Sequence, residues 1–429
     1  MQRILAITTM LFALASQSQA ANAEESTDLP ATGETSSAFA PFDEWMKKFL
    51  QDHKVPGGSL AIVRDGKVVY ARGFGLADKE KKTPVQPESL FRIASISKPI
   101  TAVAILKLVE ERKLKTDDKI LDILTYEPHF EGDAKFDERW KEVTIAQCLA
   151  HIGGWDRGVS YDPMFQAQRM AKSMKIDLPI LPEHIIRYQL GQKLDFTPGE
   201  RYAYSNFGYS LLGRVIEKLS GKPYEEYVKE EVLKPLGITA MRMGKSLESE
   251  LAEGEVHYYD VNEKQETAVT GPGAGKDKVP LSYGVWRQET LDSHGGWIAS
   301  SIDLAEFAAA FDLGVKGNES PTRGGLLKAE TVLSMFSPHA VMNKPGPDGK
   351  GGQDYGYGWM LRADSSGRMT SRHGGALACT ASTMIHFPDD INVAVLFNLG
   401  QSPDGKFLGR EIDGPLMDLV EGLRKNAAP

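Results

Sequence analysis

Cysteine is nearly absent from this sequence: its 429 residues hold two, Cys148 and Cys379, far apart and each among apolar or small neighbours. That scarcity excludes a disulfide-built fold, and the setting reads as two buried free thiols rather than one long-range bridge. Neither has the adjoining histidine pattern of a cysteine nucleophile. The nine histidines show no HxH, HExxH or Cys/His ligand spacing, so no metal and no other cofactor is expected. Long runs of one charge are missing too. A net charge of −8 with both signs interspersed excludes the concentrated basic surface that binding nucleic acid requires. Beyond the N-terminal residues, no apolar stretch approaches the length of a membrane span.

What remains is the composition of a globular protein, 41% hydrophobic and 25% charged, with apolar residues enough for one large domain or two ordinary ones. Met1-Gln2-Arg3 carries a positive charge, and an apolar stretch runs from Ile4 to Ala15. Small residues then follow at cleavage-like spacing, Ser18-Gln19-Ala20 and Ala21-Asn22-Ala23. This is the layout of a secretory signal peptide over residues 1–23. Residues 24–40, rich in Ser, Thr and Glu, read as a flexible lead-in. The mature protein is therefore expected to be periplasmic or secreted, with no stable membrane span after cleavage.

The spacing of Phe42, Trp45, Met46, Phe49 and Leu50 predicts a helix. Asp65-Gly66 between two apolar runs predicts a hairpin, because glycine accepts positive φ at the turn. Residues 90–94 read as a strand entering a helix at Ser95, which is apolar almost all round and so belongs in the interior. Residues 120–236 alternate helical patterns with Gly/Pro breaks, and residues 251–293 read as a polar, Gly-rich loop. Strands return over 357–361, 369–373, 381–387 and 392–397, before a closing helix over 410–424. The economical fold is α+β. The strands of both ends form one antiparallel sheet, the terminal helices cover it, and a mostly helical subdomain stands at one side within a domain spanning 41–425.

Three short motifs carry candidate chemistry. Ser95-Ile96-Ser97-Lys98 sets a hydroxyl nucleophile and an amine one helical turn apart, on one face. That arrangement suits acyl transfer, with the amine taking the serine proton while the oxygen attacks a carbonyl. Taken alone, such a spacing is more often solvated helix surface. In Tyr204-Ser205-Asn206, a phenol lowered in pKa by a nearby cation such as Lys98 can act as base or relay. The asparagine amide there can bond both Lys98 and a substrate carbonyl. The alternative is an ordinary helix start, with Ser205 or Asn206 as cap. His373-Gly374-Gly375 ends a strand pattern, where glycines admit a substrate backbone and the imidazole can shuttle a proton or hold a carboxylate.

In this order the motifs resemble the serine β-lactamase and penicillin-binding-protein superfamily, and most closely the class C β-lactamase-related serine hydrolases. The likeness extends to Gly58–Gly66, Gly73–Asp78, Leu90–Pro99, Phe196–Glu200 with Tyr204–Tyr209, and Gly295–Ser300, and covers residue 42 to the end. The resemblance implies a β-lactamase/transpeptidase-like fold, with Ser95 as nucleophile and Lys98 as its proton acceptor or electrostatic partner. It further implies Tyr204 as the acid–base group, and Asn206 as the residue positioning Lys98 and substrate. The oxyanion hole would be formed by the amides of Ser95 and Ala376. Substrate would also meet His373, Gly374 and Gly375.

His373 stands where many β-lactamases carry the lysine of Lys-Thr-Gly, which moves the expected substrate toward a small-molecule ester or D-amino-acid peptide or amide and away from β-lactams. His151-Ile152-Gly153-Gly154 stands where relatives show His-Thr-Ser-Gly, so a nearby loop is expected to differ. Residues 155–194 read either as a lid or, by preference, as ordinary helical packing. The competing function is a sensor of cell-wall peptides or β-lactams that binds without turnover.

Overall fold

The computed structural model describes residues 29–312, 325–344, 351–363 and 368–426. The expected signal peptide lies outside them. Helix α1 (Ala40–His53) leads into the hairpin of β2 (Gly57–Arg64) and β3 (Lys67–Asp78), turned at Asp65-Gly66 with both residues at positive φ. Strands β4 (Ala340–Asn343), β5 (Gln353–Tyr355), β6 (Met360–Ala363), β7 (Met369–Leu377), β8 (Thr380–His386) and β9 (Ile391–Phe397) come from the far end of the chain. Every pairing among them is antiparallel, and β2 pairs with β9 in the register Leu60↔Val395, so the two ends of the chain share one sheet.

The expected architecture is present. On one face α1 and α5 (Asp413–Asn426) bury Phe42, Met46, Phe49, Leu416 and Val420 against Phe74, Val395 and Phe397. The other face carries α4 (Ser301–Ala309), capped by Ser300 with Asp303 reciprocating, and α2 (Ser97–Glu110) joins the same apolar cluster from among the helices. From Ser97 through Leu106 every α2 side chain is buried, as its uniformly apolar pattern requires, and Pro99 sits harmlessly in the first turn. Between residues 120 and 236 the described elements are all helices, among them α3 (Asn206–Ser220).

Some local expectations give way. Part of the supposed flexible lead-in is structured: β1 (Ala31–Thr32) pairs with β3 at the sheet edge through Ala31↔Phe74. The 251–293 stretch contains a hairpin of Gln265–Thr267 with Lys278–Pro280. Phe91–Arg92 leaves the main sheet and pairs with Trp297–Ala299, which places the segment before Ser95 under a small sheet of its own. Both cysteines are buried and unpaired, and burial raises both thiols, Cys379 to about 11.

Candidate active site

Ser95 is held at a tightly fixed corner. Arg92, buried beneath it, donates to the carbonyls of Ser282 (2.7 Å) and Lys245 (2.9 Å) and lies over the Tyr258 ring. Ile93 N–H donates to the Trp297 carbonyl, and β8 grips the same segment from above: Thr380 Oγ1 donates to Arg92 O (2.9 Å) and Ser382 Oγ to Ile93 O (3.0 Å). Ala94 is thereby forced to φ +45°, a region that costs any residue with a Cβ. Ser95 follows, partly exposed, in the tight turn that opens α2, so its amide lies at the positive end of that helix.

Lys98 is fully buried directly behind it. Its Nζ has three neighbours: Ser95 Oγ at 3.0 Å, Asn206 Oδ1 at 2.8 Å and the carbonyl of His294 at 2.8 Å. Desolvation drives the Lys98 pKa well below the usual lysine value; Asp162 opposes that shift and Arg157 adds to it. A neutral amine has two N–H groups and one lone pair. The two carbonyl oxygens can only accept, so they take both N–H groups and leave the lone pair aimed at the serine hydroxyl.

Ser205 is indeed the N-cap of α3, its Oγ accepting from Gly208 N–H, so the helix-start reading of Tyr204-Ser205-Asn206 is correct as far as it goes. The same geometry turns Asn206, the first helical residue, onto Lys98. Tyr204 shares a hydrogen bond with Ser95, but its pKa is raised, chiefly by burial. The expectation that Lys98 would lower it is not met: what counteracts burial is the hydrogen bond to Ser95 and the charge of Arg157. Tyr204 is accordingly a protonated phenol.

His373 is placed beside Tyr204, with ring centroids 6.3 Å apart, yet it does not face substrate. Its Nδ1–H donates to the Gly374 carbonyl (2.7 Å) and its Nε2 accepts from Tyr355 Oη (3.0 Å). Burial and the neighbouring Lys98 lower its pKa to about 3, so it is a neutral, fully engaged ring. The expected roles of proton shuttle and carboxylate ligand are corrected on that ground. The two glycines also separate. A Cβ on Gly375 would collide with Ile93 O and Ser382 Oγ, whereas one on Gly374 would meet nothing closer than 3.7 Å. Gly375 therefore lets β7 close onto the nucleophile segment, and the next residue, Ala376, is exposed on the strand.

Three participants were not anticipated from sequence. The His294 carbonyl contributes main chain, which side-chain patterns do not report. Asp162 Oδ2 accepts from Asn206 Nδ2 at 2.6 Å, while Oδ1 accepts from Met164 N–H. Its sequence signal, Asp before Pro163, is that of a turn cap, and it fills that role as well. Because a carboxylate only accepts, Asp162 fixes which end of the Asn206 amide faces Lys98. Asp162→Leu is expected to lower kcat about tenfold, with partial recovery in Asp162→Asn, whose amide oxygen still accepts; steady-state kinetics of the pair checks this. His151 is the third. It is buried against the Tyr204 ring (centroids 4.4 Å), and its Nδ1 accepts Ser205 N–H, which ties the divergent His151–Gly154 loop to the base of the site. Residues 155–194 contain helices at Pro163–Phe165, Ala167–Met174 and Pro182–Leu190 joined by irregular segments, with Met164 and Met170 buried.

The first curated relative matched, "Protein flp" of Staphylococcus aureus (strain N315), is 31% identical over 205 residues, 48% of this chain and 38% of its own length. The match thus spans well under half of that relative. Among solved structures, the octameric penicillin-binding protein homologue from Pyrococcus abyssi superposes with a TM-score of 0.66 at 28% identity, covering 89% of this chain and 77% of that one. The D-amino acid amidase from Ochrobactrum anthropi SV3 shares the fold, with a TM-score of 0.68 at 20% identity over 92% of this chain and all of its own. A family profile described as Beta-lactamase matches residues 42–413, from the first turn of α1 through β2–β9 to the start of α5, and this chain belongs to that family.

Proposed function

We propose that this protein is an exported serine hydrolase that works through an acyl-enzyme on Ser95. The observation that carries the reading is the three-way environment of Lys98: two obligate acceptors hold its N–H groups and leave its lone pair for the Ser95 hydroxyl. In the first step Ser95 Oγ forms a bond to the substrate carbonyl carbon as its proton passes to Lys98 Nζ. The developing oxyanion lies between the Ser95 and Ala376 amides. Collapse breaks the bond to the leaving group, which takes a proton through Tyr204 Oη, and the phenol is replenished from the Lys98 ammonium. Water then enters by the reverse path and releases the acid.

All the reacting groups in this scheme come from the protein itself. An ester or a D-amino-acid peptide or amide fits better than a β-lactam, because β7 presents no cation where a lysine stands in many β-lactamases. The expected result is stoichiometric labelling by a fluorophosphonate probe, abolished in Ser95→Ala, with turnover of short-chain esters or D-alanyl peptides outpacing a chromogenic cephalosporin. Labelling that persists in Ser95→Ala would remove the nucleophile assignment, and a stable acyl adduct without turnover of any of the three would favour the sensor reading.

A further inference from the structure

Tyr204 and Asn206 are braced by the loop that begins at His151, the stretch where this chain departs from the His-Thr-Ser-Gly pattern. His151, at φ +59°, offers its carbonyl to Ala203 N–H (2.9 Å) and its Nδ1 to Ser205 N–H (3.1 Å), one on either side of Tyr204 in sequence. The chain then doubles back on itself. The Trp155 indole lies over Gly153, where any Cβ would collide with its six-membered ring. A serine at 153 and the indole in this position exclude one another.

That indole meets the first turn of α3. It packs edge to face with Phe207, the residue after Asn206, with ring centroids 5.1 Å apart, and lies 5.3 Å from the Trp140 ring. A Cβ on Gly208 would touch it at 3.5 Å. Trp155 is 5% exposed, and its Nε1 has no hydrogen-bond partner among the described residues. What it contributes is therefore volume and shape. Asp162 fixes how the Asn206 amide is turned, and the indole fixes where the backbone of that turn stands.

We propose that Trp155 is a positioning residue for acyl transfer. Seated in the space that Gly153 leaves, it sets Asn206 Oδ1 at 2.8 Å from Lys98 Nζ and so keeps the amine lone pair on Ser95. The proposal rests on the hydrolase reading above. When the first turn of α3 shifts, Oδ1 leaves Lys98, one N–H of the amine loses its acceptor, and the lone pair is no longer held on the hydroxyl.

The test measures the rate of Ser95 labelling by a fluorophosphonate in wild type, Trp155→Phe and Gly153→Ser, each with and without Asn206→Ala. Trp155→Phe should slow labelling about tenfold, and Gly153→Ser, which displaces the whole indole, about 10- to 100-fold. In the Asn206→Ala background either change should cost less than about threefold, because the group they position is already gone. The double variant Gly153→Ser/Trp155→Phe, whose smaller ring lacks the carbons the serine would strike, should label at the Trp155→Phe rate whether or not Gly153→Ser itself folds. Losses of the same size in both backgrounds are what mere loosening of the core produces, and they overturn the proposal while leaving the hydrolase intact. Labelling of both single variants at the wild-type rate overturns it as well, and so does a double variant no faster than Gly153→Ser. Wild type that fails to label at all ends both readings.

Discussion

Replacing Lys98 with methionine is expected to slow acylation of Ser95 by about 10³-fold, the scale of a positioned general base. Methionine fills most of the same volume but offers no lone pair to the serine, so the loss falls on the proton transfer. Single-turnover labelling by a fluorophosphonate reads that step without involving deacylation. A Lys98→Met protein acylated within tenfold of the wild-type rate would take the amine off the proton path. The same residue sets the acid limb of the pH profile. The proposed mechanism requires the neutral amine, so kcat/KM should fall as pH drops through the Lys98 pKa, which burial has moved well below 10.5. Stability moves in the same direction. In the unfolded chain Lys98 keeps its ordinary pKa, so between the two values the unfolded state binds more protons and wild-type stability rises with pH. Methionine has no such term. Denaturant titrations should therefore show wild type gaining on Lys98→Met as pH rises from the depressed Lys98 pKa toward the ordinary lysine value. The orphaned Asn206 Oδ1 and His294 carbonyl shift the methionine variant by a constant amount and leave this slope untouched.

Gly375→Ala is expected to damage activity and stability together. The new methyl would overlap both Ile93 O and Ser382 Oγ, one of them backbone, so β7 must move away from the nucleophile segment. Overpacking of that kind costs about 1–3 kcal/mol of stability. The strand also carries Ala376, the proposed oxyanion donor, and a shift of about 1 Å in such a donor lowers turnover on the order of 10²-fold. Gly374→Ala is the built-in comparison: its added methyl meets only ordinary contacts, and stability should stay within about 0.5 kcal/mol of wild type. Thermal unfolding and ester kinetics on the two variants check the contrast. Equal damage in both would mean that Gly375 is not the close-approach point between strand and serine.

Much of this was legible because the relevant signals are local. Asp65-Gly66 is a turn by residue type alone, and the strands it joins are the ones that pair. The Ser95–Lys98 spacing is a property of helix geometry, and it survives in the structure as a 3.0 Å contact. Long-range, main-chain and desolvation effects were not legible. His294 contributes only its carbonyl, so its side chain gave no hint of its place. Asp162 looks like any turn cap until α3 brings Asn206 beside it, 44 residues on. His373 was misread because its chemistry depends on Tyr355, 18 residues upstream and two strands away. Phe91–Arg92 is too short for alternation to say which sheet it joins.

The sheet in which β2 is zipped to β9 also sets the order in which this protein comes into being. Gly57 N–H is bonded to the Asn398 side chain, 341 residues away, and Ser382 reaches back to the segment that carries the nucleophile. Neither contact exists until the last strands have been synthesised, and loops of that length close late and slowly. Lys98 and Asn206 can meet early, but β7 and β8, which complete the cradle, come near the far end of the chain. In the proposed mechanism, a chain cut before β7 thus holds its serine and its amine without Ala376 and without the strand that grips the Arg92-Ile93 segment.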